Sequence, residues 1–369
     1  MDKTEVAICE IQAVTAYGSG IEQLVDGIYS GKTAVNKNNN LPYTDFPCAS
    51  VDGLDDSSPR VFQLLERLRL LDIKLPAESP VLLALTIGAV ELIEMKLTNN
   101  CQGAETSHIA ALISLVKKLW GNRKIYVISA ACASSASAVA QASSMILHHE
   151  LKSAIIISCD AVSEFIISGF TSIGALDEKG ARPFDANRKG MSLGEAAGIM
   201  LLSEKKYAEA GQFPVQGTLR GWRMNCDAFH VTSPDLSGTP LANAAVAALN
   251  MANLKPDDIS FAVAHGTGTF YNDKMEGEAL KRIFPKRLPV FSIKGGSGHT
   301  VAPSGMLQLA VALHAKKRGM IPGNINLSHP MEGFEAWVAS EPKPINSGMF
   351  LSLNSGFGGI NCALVIDTA

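Results

Sequence analysis

The sequence predicts an α/β fold in which layers of strands and layers of helices alternate. Short, apolar, β-prone segments recur between segments with helical apolar spacing along the 369-residue chain, a pattern typical of layered α/β proteins. Two predicted strands lead directly to a reactive side chain, Cys132 after one and His265 after the other. We therefore predict one compact unit with two halves, although no sequence repeat is clear enough to establish an internal duplication.

The first predicted elements precede the reactive cysteine. A strand at Glu5–Thr15 is followed by an amphipathic segment at Ile21–Ser30. The stretch Lys37–Arg60 is rich in Asn, Pro, Asp and Ser and is expected to form an irregular surface loop. Helical apolar spacing then predicts helices at Val61–Leu71 and Pro80–Leu97.

The later elements begin with a strand at Lys124–Ser129, which runs into Ala130–Val139. This second segment consists of small residues, so we predict a helix whose backbone packs closely against another element. Further strands are predicted at Ala154–Ser158, Gly198–Leu202, Phe261–Ala264, Lys286–Ile293, Gly348–Leu353 and Ala363–Asp367.

Composition excludes several classes of protein. Hydrophobic residues make up 47% of the chain and charged residues 18%, which predicts a well-packed globular protein. The formal net charge is −3 without a dense run of Lys or Arg, so nucleic-acid binding has no electrostatic support. Seven scattered cysteines without Cys-x-x-Cys pairs favour free thiols over disulfides or a metal site. Because no signal peptide or apolar stretch of membrane-spanning length is evident, we expect a cytoplasmic protein that does not contact membranes.

Cys132 lies where a predicted strand meets the start of the small-residue helix. The N–H groups at a helix amino terminus stabilise a thiolate, and they also stabilise an oxyanion on a thioester formed at that sulfur. A free cysteine is equally often a buried structural residue. From this position alone, both interpretations stay open.

Two histidines follow later strands within glycine-rich turns. His265 begins the segment His-Gly-Thr-Gly-Thr, whose glycines allow close backbone approach and whose threonines offer two hydroxyls to a polar ligand. His299 ends Ser292-Ile-Lys-Gly-Gly-Ser-Gly-His, five residues after Lys294. Such a turn can also cradle phosphate, but its spacing fits neither nucleotide-binding fingerprint. A third turn, Asn354-Ser-Gly-Phe-Gly-Gly359, carries the single bulky side chain Phe357 as a plug, gate or simple hairpin residue.

Six segments in this order resemble the elongating β-ketoacyl-acyl-carrier-protein synthases and the related ketosynthases of polyketide pathways. The resemblance is strong from Val127 to Val365. It rests on AACASSASA, GARPFDANRKGMSLGEAAG, NCDAFHVTSP, AHGTGTFYND with Glu276, SIKGGSGH and LNSGFGGIN. It implies a thiolase-like α-β-α-β-α fold, with residues 1–210 carrying the cysteine and residues 211–369 carrying the histidines and lysine.

The resemblance also implies the catalytic roles. Cys132 corresponds to the acyl-accepting nucleophile, and His265 and His299 to the pair that holds the malonyl thioester carbonyl while carbon dioxide leaves. Lys294 corresponds to the supporting lysine and Glu276 to its buried carboxylate partner. Elongating rather than initiating synthases carry a second histidine in this set, so elongation is favoured.

Further residues correspond to the substrate-binding positions of the family. Thr267 and Thr269 match the threonines that contact the pantetheine arm. The N–H groups of Cys132 and Phe357 match the oxyanion hole, and Phe357 matches the acyl-pocket gate. Nearby lie Phe170 and the loop from Asp227 to Thr232. The resemblance implies no metal or organic cofactor, substrates carried on the phosphopantetheine arm of acyl carrier protein, and a homodimer or a heterodimer with a related subunit.

The sequence departs from the family at several places. The chain is short between Leu97 and Ile125, Ser355 replaces a second phenylalanine, and Pro303 follows His299 closely. These departures favour a specialised polyketide or polyene enzyme. Arg182, Asp185 and Glu195 are interpreted as ion pairs or turn anchors. Arg60, Arg67 and Arg69 match either a carrier-docking surface or a solvated helix face.

Two other functions compete with the synthase. One is a non-catalytic partner resembling a chain-length factor, which shapes the pocket of a related subunit; such partners usually lack the nucleophile. The other is a thiolase-like transferase that uses coenzyme A without decarboxylation. Cys362 lies near the position of a second thiolase cysteine, but it falls within the final predicted strand and is interpreted as structural.

Overall fold

The computed structural model describes residues 4–37, 41, 44–55, 57–99 and 108–369. Its strands are β1 (Val6–Thr15), β2 (Gly18–Ser19), β3 (Val81–Ala84), β4 (Ile125–Ile128), β5 (Ser153–Asp160), β6 (Ala196–Glu204), β7 (Gly217–Cys226), β8 (Phe261–Val263), β9 (Val290–Phe291), β10 (Met320–Ile321), β11 (Lys343–Pro344), β12 (Met349–Gly356) and β13 (Ile360–Thr368). Its helices are α1 (Ile21–Tyr29), α2 (Arg60–Arg69), α3 (Glu91–Asn99), α4 (His108–Trp120), α5 (Ser134–Leu147), α6 (Glu164–Ser172), α7 (Lys205–Ala210), α8 (Thr239–Ala252), α9 (Phe270–Ile283), α10 (Lys294–Ser297), α11 (Ser304–Leu313) and α12 (Ala315–Arg318).

The main sheet consists of two halves with the same strand order. From the edge inward, the first half runs β4-β3-β5-β6-β1, and the second runs β9-β8-β12-β13-β7. In each half the pairs nearest the edge are parallel and the pairs nearest the centre are antiparallel. The central strands β1 and β7 pair antiparallel, with Val6 opposite Leu219. The chain is therefore built from two similar halves, as the resemblance implies.

Helices form three layers around the two half-sheets. Helices α5 and α11 pack against each other between the halves, α2 and α4 cover the outer face of the first half, and α8 and α9 cover the outer face of the second. Alternate residues of each strand face opposite layers, since Ile155 of β5 packs in the outer cluster and Ile156 in the central one. The order of layers is α-β-α-β-α.

The small residues of α5 permit the close contact predicted from the sequence. A Cβ atom added to Gly305 of α11 would lie 2.9 Å from the Cβ of Ala136, so a larger residue would force the two helices apart. Ten residues of α5 are buried, including Ser134 and Ser135. Between the two halves of the main sheet, a helix of this composition can pack on several sides at once.

One predicted helix was wrong. Within Pro80–Leu97, residues Val81–Ala84 form β3, which pairs in parallel with β4 and β5, and helix α3 begins only at Glu91. A short, fully buried strand has apolar residues on both faces, so its pattern matches that of a buried helix. The helix expected from Ala130 begins at Ser134, and the strand expected at Lys286–Ile293 is confined to Val290–Phe291.

The other predicted strands are confirmed, with shifted ends. Cys48 in the expected loop Lys37–Arg60 forms an isolated bridge with Asn36, which precedes the loop. Residues 38–40, 42–43 and 56 lie outside the described residues. Residues 100–107 of the short region before Ile125 also lie outside them. Across the described ranges, every helix falls short of the length and apolar character that a membrane crossing requires.

Candidate active site

Cys132 lies in a tight turn between the edge strand β4 and the central helix α5. Ala131 adopts a positive φ of 48°, a strained conformation for a residue with a Cβ atom. Hydrogen bonds hold the turn: Ser134 Oγ accepts the N–H of Ala130 at 2.9 Å and donates to the carbonyl of Ala131 at 2.6 Å, while Thr86 Oγ1 donates to the same carbonyl at 2.9 Å. These hydrogen bonds stabilise the strained conformation of Ala131 and fix the backbone that leads into Cys132.

Two backbone N–H groups face the sulfur of Cys132. They belong to Cys132 itself and to Phe357, in the turn between β12 and β13. Gly356 brings the second turn close, because a Cβ atom placed there would lie 3.0 Å from the carbonyl oxygen of Ala130 and 3.1 Å from the nitrogen of Cys132. This pair of donors is the geometry of an oxyanion hole.

The resting thiol of Cys132 is protonated. Burial raises its pKa to about 12, although Lys294 and the two backbone N–H groups act in the opposite direction. The helix amino terminus expected to favour a thiolate is outweighed by desolvation, because α5 begins only at Ser134.

His265 follows β8 and is held on both its backbone and its ring. Its backbone N–H donates to Glu276 Oε1 at 2.6 Å, and its carbonyl accepts from Lys294 Nζ. Lys294 Nζ also lies 3.3 Å from ring atom Nδ1. Since an ammonium group only donates, Nδ1 accepts and Nε2 carries the ring hydrogen.

His299 has the same tautomer for a different reason. The backbone N–H of Val301 donates to its Nδ1 at 3.3 Å, and Ser304 Oγ lies 2.9 Å from the same atom. A backbone N–H can only donate, so this ring also carries its hydrogen on Nε2. Burial and the charge of Lys294 lower the pKa of both His265 and His299 well below the ordinary histidine value, so both rings are neutral.

The two imidazoles lie side by side. Their ring centroids are 5.2 Å apart and their planes are nearly perpendicular, at 86°. Both rings line the cavity that also contains Cys132. The arrangement offers two neutral N–H donors beside one sulfur, which suits the stabilisation of negative charge on a thioester oxygen.

A buried polar network supports this pair of rings. Lys294 Nζ donates to Gln308 Oε1 at 2.9 Å, and Asn354 Nδ2 donates to the same oxygen at 3.1 Å. The Gln308 amide nitrogen donates to the carbonyls of Ala264 and Leu353. Gln308 therefore joins the strand that precedes His265 to the strand that precedes Phe357.

Glu276 supports the site through the backbone. Its Oε2 accepts the N–H of Gly266 at 2.8 Å, in addition to the bond from His265, and Lys294 influences it without direct contact. Burial raises the pKa of Glu276 and lowers that of Lys294. The carboxylate thus fixes the turn that carries His265, while the ammonium is hydrogen-bonded to His265 and Gln308.

The cavity measures about 270 Å³ and brings together most of the residues predicted from the sequence. Its lining includes Cys132, Phe170, Asp227, Thr232, His265, Thr267, Thr269, His299 and Phe357, whereas Lys294 and Glu276 lie behind it. The rings of Phe170 and Phe357 are in contact, with centroids 5.7 Å apart. The two threonine hydroxyls lie 2.9 Å from each other.

Other singled-out residues lie away from the cavity. Arg60 is buried in an ion pair with Glu195, so it does not contribute to an exposed docking surface. Asp185 accepts the N–H groups of Ser328 and His329 and anchors a turn. Cys362 is fully buried in β13 and does not line the cavity.

Sequence reasoning missed several contributors to the site. Gln308 and Ser304 lie on α11, a helix with no distinctive pattern. Asp160 ends β5 and accepts the N–H groups of Ile87 and Ala302, and burial raises its pKa to about 7. A polar residue inside an apolar segment was the available signal at Gln308 and Asp160. Among the residues that the structure describes, no cluster of three or more His, Cys, Asp or Glu side chains is arranged to hold a metal ion.

Family models of known proteins match both halves of the chain. The model for the N-terminal domain of β-ketoacyl synthases matches residues 88–208, and the model for the C-terminal domain matches residues 216–328. The chain is 25% identical to 3-oxoacyl-[acyl-carrier-protein] synthase 2 of Coxiella burnetii over 412 residues, covering 100% of this chain and 99% of the relative. It is 32% identical to the tetracenomycin polyketide synthase ketoacyl synthase alpha subunit of Streptomyces glaucescens over 253 residues, 66% of this chain and 59% of that one.

Solved structures share the fold. A β-ketoacyl synthase from Burkholderia phymatum superposes with a TM-score of 0.85 at 23% identity, covering 99% of this chain and 100% of that one. The ketosynthase ApeO of Xenorhabdus doucetiae, solved in complex with its chain length factor ApeC, gives a TM-score of 0.81 at 21% identity, with coverages of 99% and 98%. The thiolase-like fold, the two domain models in order and the relatives that match agree: the chain belongs to the β-ketoacyl synthase family.

Proposed function

We propose that the protein is an elongating β-ketoacyl-acyl-carrier-protein synthase, which condenses a malonyl extender with an acyl group held on Cys132 and releases carbon dioxide. The observation that carries this proposal is the shared tautomer of His265 and His299. Lys294 and the N–H of Val301 occupy the Nδ1 atoms, so two Nε2–H donors remain for a substrate oxygen. An enolate oxygen is the group that such a pair of neutral donors stabilises best.

In the first half-reaction, Cys132 takes the acyl group from a carrier thioester. A bond forms between its sulfur and the acyl carbon, the bond to the carrier sulfur breaks, and the carrier leaves as a thiol with the proton from Cys132. The N–H groups of Cys132 and Phe357 stabilise the tetrahedral oxyanion.

In the second half-reaction, the malonyl thioester loses carbon dioxide and becomes an enolate. His265 and His299 donate to its oxygen, and the enolate carbon then attacks the acyl carbon on Cys132. The carbon–sulfur bond breaks, the Cys132 sulfur is released as a thiolate that takes a proton from water, and a 3-oxoacyl thioester leaves. The two donors stabilise charge that appears on the way to the transition state and is absent from the bound malonyl group.

The cavity suits substrates delivered on a long polar arm. Thr267 and Thr269 present hydroxyls along its wall, and the exposed Lys189 lies among its lining residues. We assign the arm to phosphopantetheine on acyl carrier protein, in a pathway of fatty acid or polyketide type. The half with Cys132 is assigned to residues 1–210 and the half with His265, Lys294 and His299 to residues 211–369.

The test uses the purified chain with acyl and malonyl carrier proteins. We expect a 3-oxoacyl product and a mass increase on Cys132 equal to the acyl group, both lost in Cys132→Ala. Labelled carbon dioxide is released with the product, and its release does not itself require the sulfur, because His265 and His299 stabilise the enolate. Acetyl carrier protein in place of malonyl should give no condensation, which separates this enzyme from a thiolase. Full condensation by Cys132→Ala would overturn the proposal.

A second arm tests the role of a non-catalytic partner. If the chain is inert alone and with carrier substrates, yet activates a related ketosynthase subunit with its own cysteine, it is a chain-length-factor-like subunit instead. The intact set of Cys132, His265, Lys294 and His299 favours the catalytic role.

A further inference from the structure

The hydroxyl of Ser304 is in direct contact with one of the two imidazole rings. Its Oγ atom lies 2.9 Å from Nδ1 of His299, and both residues are buried. The N–H of Val301 also points at Nδ1, so that nitrogen carries no hydrogen and can only accept from the hydroxyl. Ser304 is therefore a hydrogen-bond donor to His299.

Thr300 fixes the direction of this hydrogen bond. Its Oγ1 atom lies 3.2 Å from Ser304 Oγ, and it is as deeply buried as His299. A hydroxyl has a single hydrogen, and that of Ser304 is directed to Nδ1, so the hydroxyl of Thr300 donates to Ser304 Oγ. The three side chains form a chain of two hydrogen bonds that ends on the ring.

The backbone alone makes a weaker contact with the ring. Val301 has a φ of 57°, a conformation that a β-branched residue rarely adopts, and the next N–H, of Ala302, donates to Asp160 Oδ2 at 3.0 Å. Even in this strained turn the nitrogen of Val301 stays 3.3 Å from Nδ1, which is long for an N–H donor. The Ser304 hydroxyl, at 2.9 Å, is the closer of the two donors.

A donor at Nδ1 affects the opposite side of the ring. It keeps the hydrogen on Nε2, holds the plane of the ring, and polarises the imidazole so that Nε2–H becomes a better donor. His265 receives this support from the ammonium group of Lys294, 3.3 Å from its Nδ1. His299 receives it from a neutral hydroxyl, so different groups prepare the two rings.

We propose that Ser304, directed by Thr300, is a positioning residue for decarboxylation, because it holds the Nε2–H of His299 in place for the enolate oxygen. The proposal rests on the proposed function and assigns a role within its second half-reaction. It concerns one ring only, since the Nδ1 atom of His265 is supported by Lys294.

The first half-reaction is independent of this hydroxyl. The oxyanion formed during acylation of Cys132 is stabilised by the N–H groups of Cys132 and Phe357. The turn that carries Cys132 is held by the hydroxyls of Ser134 and Thr86. Loss of the Ser304 hydroxyl should therefore slow decarboxylation and spare acylation, which a general loss of structure would not do.

The experiment measures the two half-reactions separately in Ser304→Ala. Release of labelled carbon dioxide from malonyl carrier protein reports decarboxylation, and intact-protein mass spectrometry with acyl carrier protein reports acylation of Cys132. We expect decarboxylation to slow by about tenfold, the scale of one buried hydrogen bond, and acylation to stay within about twofold of the wild-type rate. Ser203→Ala is the matched control, since Ser203 is a buried serine at the end of β6 whose hydroxyl donates to the carbonyl of Glu204 at 3.0 Å. It should leave both rates unchanged.

The outcomes separate this role from the proposed function. A wild-type rate of decarboxylation in Ser304→Ala, or an equal loss in both half-reactions, would overturn the role of Ser304 and leave the proposed function intact. If the wild-type protein neither decarboxylated malonyl carrier protein nor became acylated, both would be overturned. Thermal unfolding verifies that each variant is folded.

A second variant and a spectroscopic signal test the chain of hydroxyls. Thr300→Val keeps the approximate shape of the side chain and removes the donor to Ser304, so decarboxylation should fall by roughly twofold to fivefold, less than in Ser304→Ala. Nitrogen NMR of ring-labelled histidine reports the Nδ1 atom of His299, whose signal is assigned by its loss in His299→Asn. In Ser304→Ala this signal should move toward that of a nitrogen without a hydrogen bond. An unchanged signal would overturn the role of Ser304, and a wild-type rate in Thr300→Val would overturn that of Thr300.

Discussion

Lys294 Nζ lies 3.3 Å from Nδ1 of His265 and donates to the carbonyl oxygen of the same residue. One side chain thereby fixes both the tautomer of a ring and the turn that carries it. Its charge also lowers the pKa of His265 and His299, which keeps both rings neutral. Lys294 therefore acts through the two imidazoles and does not need to touch the substrate.

The first prediction concerns this lysine. Lys294→Met should lower the condensation rate by about 10²–10³-fold, because the proton on His265 is no longer directed to Nε2. Burial lowers the pKa of Lys294, so wild-type activity should fall with rising pH below the ordinary lysine range, and the variant should lack this decline. A pH–rate profile checks both effects, with Lys152→Met as an exposed control. If the activity of Lys294→Met still fell with rising pH as in the wild type, a group other than Lys294 would cause that decline.

Gln308 offers a test of the network by a change of charge. In Gln308→Glu, a carboxylate replaces the amide oxygen that accepts from Lys294 at 2.9 Å, so the pKa of Lys294 should rise and the alkaline decline should move to higher pH. Gln308→Leu removes the same oxygen without adding a charge. In both variants the free energy of unfolding should fall by about 1–3 kcal/mol, because the buried carbonyls of Ala264 and Leu353 lose their donor. Denaturant titration and pH–rate profiles distinguish these outcomes. A decline that moves to lower pH in Gln308→Glu would contradict the assignment.

The oxyanion hole depends on one glycine. In Gly356→Ala the new Cβ would meet the carbonyl of Ala130 at 3.0 Å and the nitrogen of Cys132 at 3.1 Å, so the two turns must separate by a few tenths of an ångström. We expect acylation of Cys132 to slow by roughly tenfold, because the donors no longer converge on the oxyanion. Stopped-flow acylation measures the effect. Gly169→Ala is the control, since a Cβ there contacts nothing, and a wild-type rate in Gly356→Ala would show that the turns tolerate the shift.

The last prediction concerns stability. Burial raises the pKa of Asp160 from 3.8 to about 7, so folding favours its protonated form. The contribution of Asp160 to the free energy of unfolding is complete below about pH 4 and is lost as the pH rises to about 7. Its upper bound is roughly 4 kcal/mol. The wild-type free energy of unfolding should therefore decline over this range more steeply than that of Asp160→Asn, which cannot ionise. Urea titrations at several pH values measure the difference, with the exposed Asp257→Asn as control. Parallel curves for wild type and Asp160→Asn would contradict the pKa shift.

The sequence predicted the reactive side chains better than the scaffold that holds them. Cys132, His265 and His299 each follow a strand within a turn of small residues, and such turns are recognisable because few sequences tolerate their backbone conformations. By contrast, β7 was not predicted, because buried and more exposed residues alternate over only part of its length. Helices α8 and α11 were missed because helices buried on several sides lack a polar face and show little periodicity.

The supporting groups could not be assigned from sequence for a related reason. Gln308 and Ser304 act on residues that precede them by 14 and 5 positions, through contacts that only the packing of α11 against the sheet creates. Arg60 shows the opposite error, since a basic residue on an amphipathic helix was considered for a docking surface and is instead buried against Glu195. Burial of a charged side chain depends on a partner that local sequence does not reveal.

The antiparallel pairing of β1 with β7 has a consequence for how activity is acquired. Cys132 lies in the portion of the chain on one side of the β1–β7 pair, and His265 and His299 lie in the portion on the other side. Neither portion alone therefore contains all three reactive side chains. Docking of the two portions completes both the reaction chamber and the central hydrophobic cluster between them. Competence for chemistry therefore arrives together with the completed tertiary structure, and an unassembled molecule cannot consume its substrates.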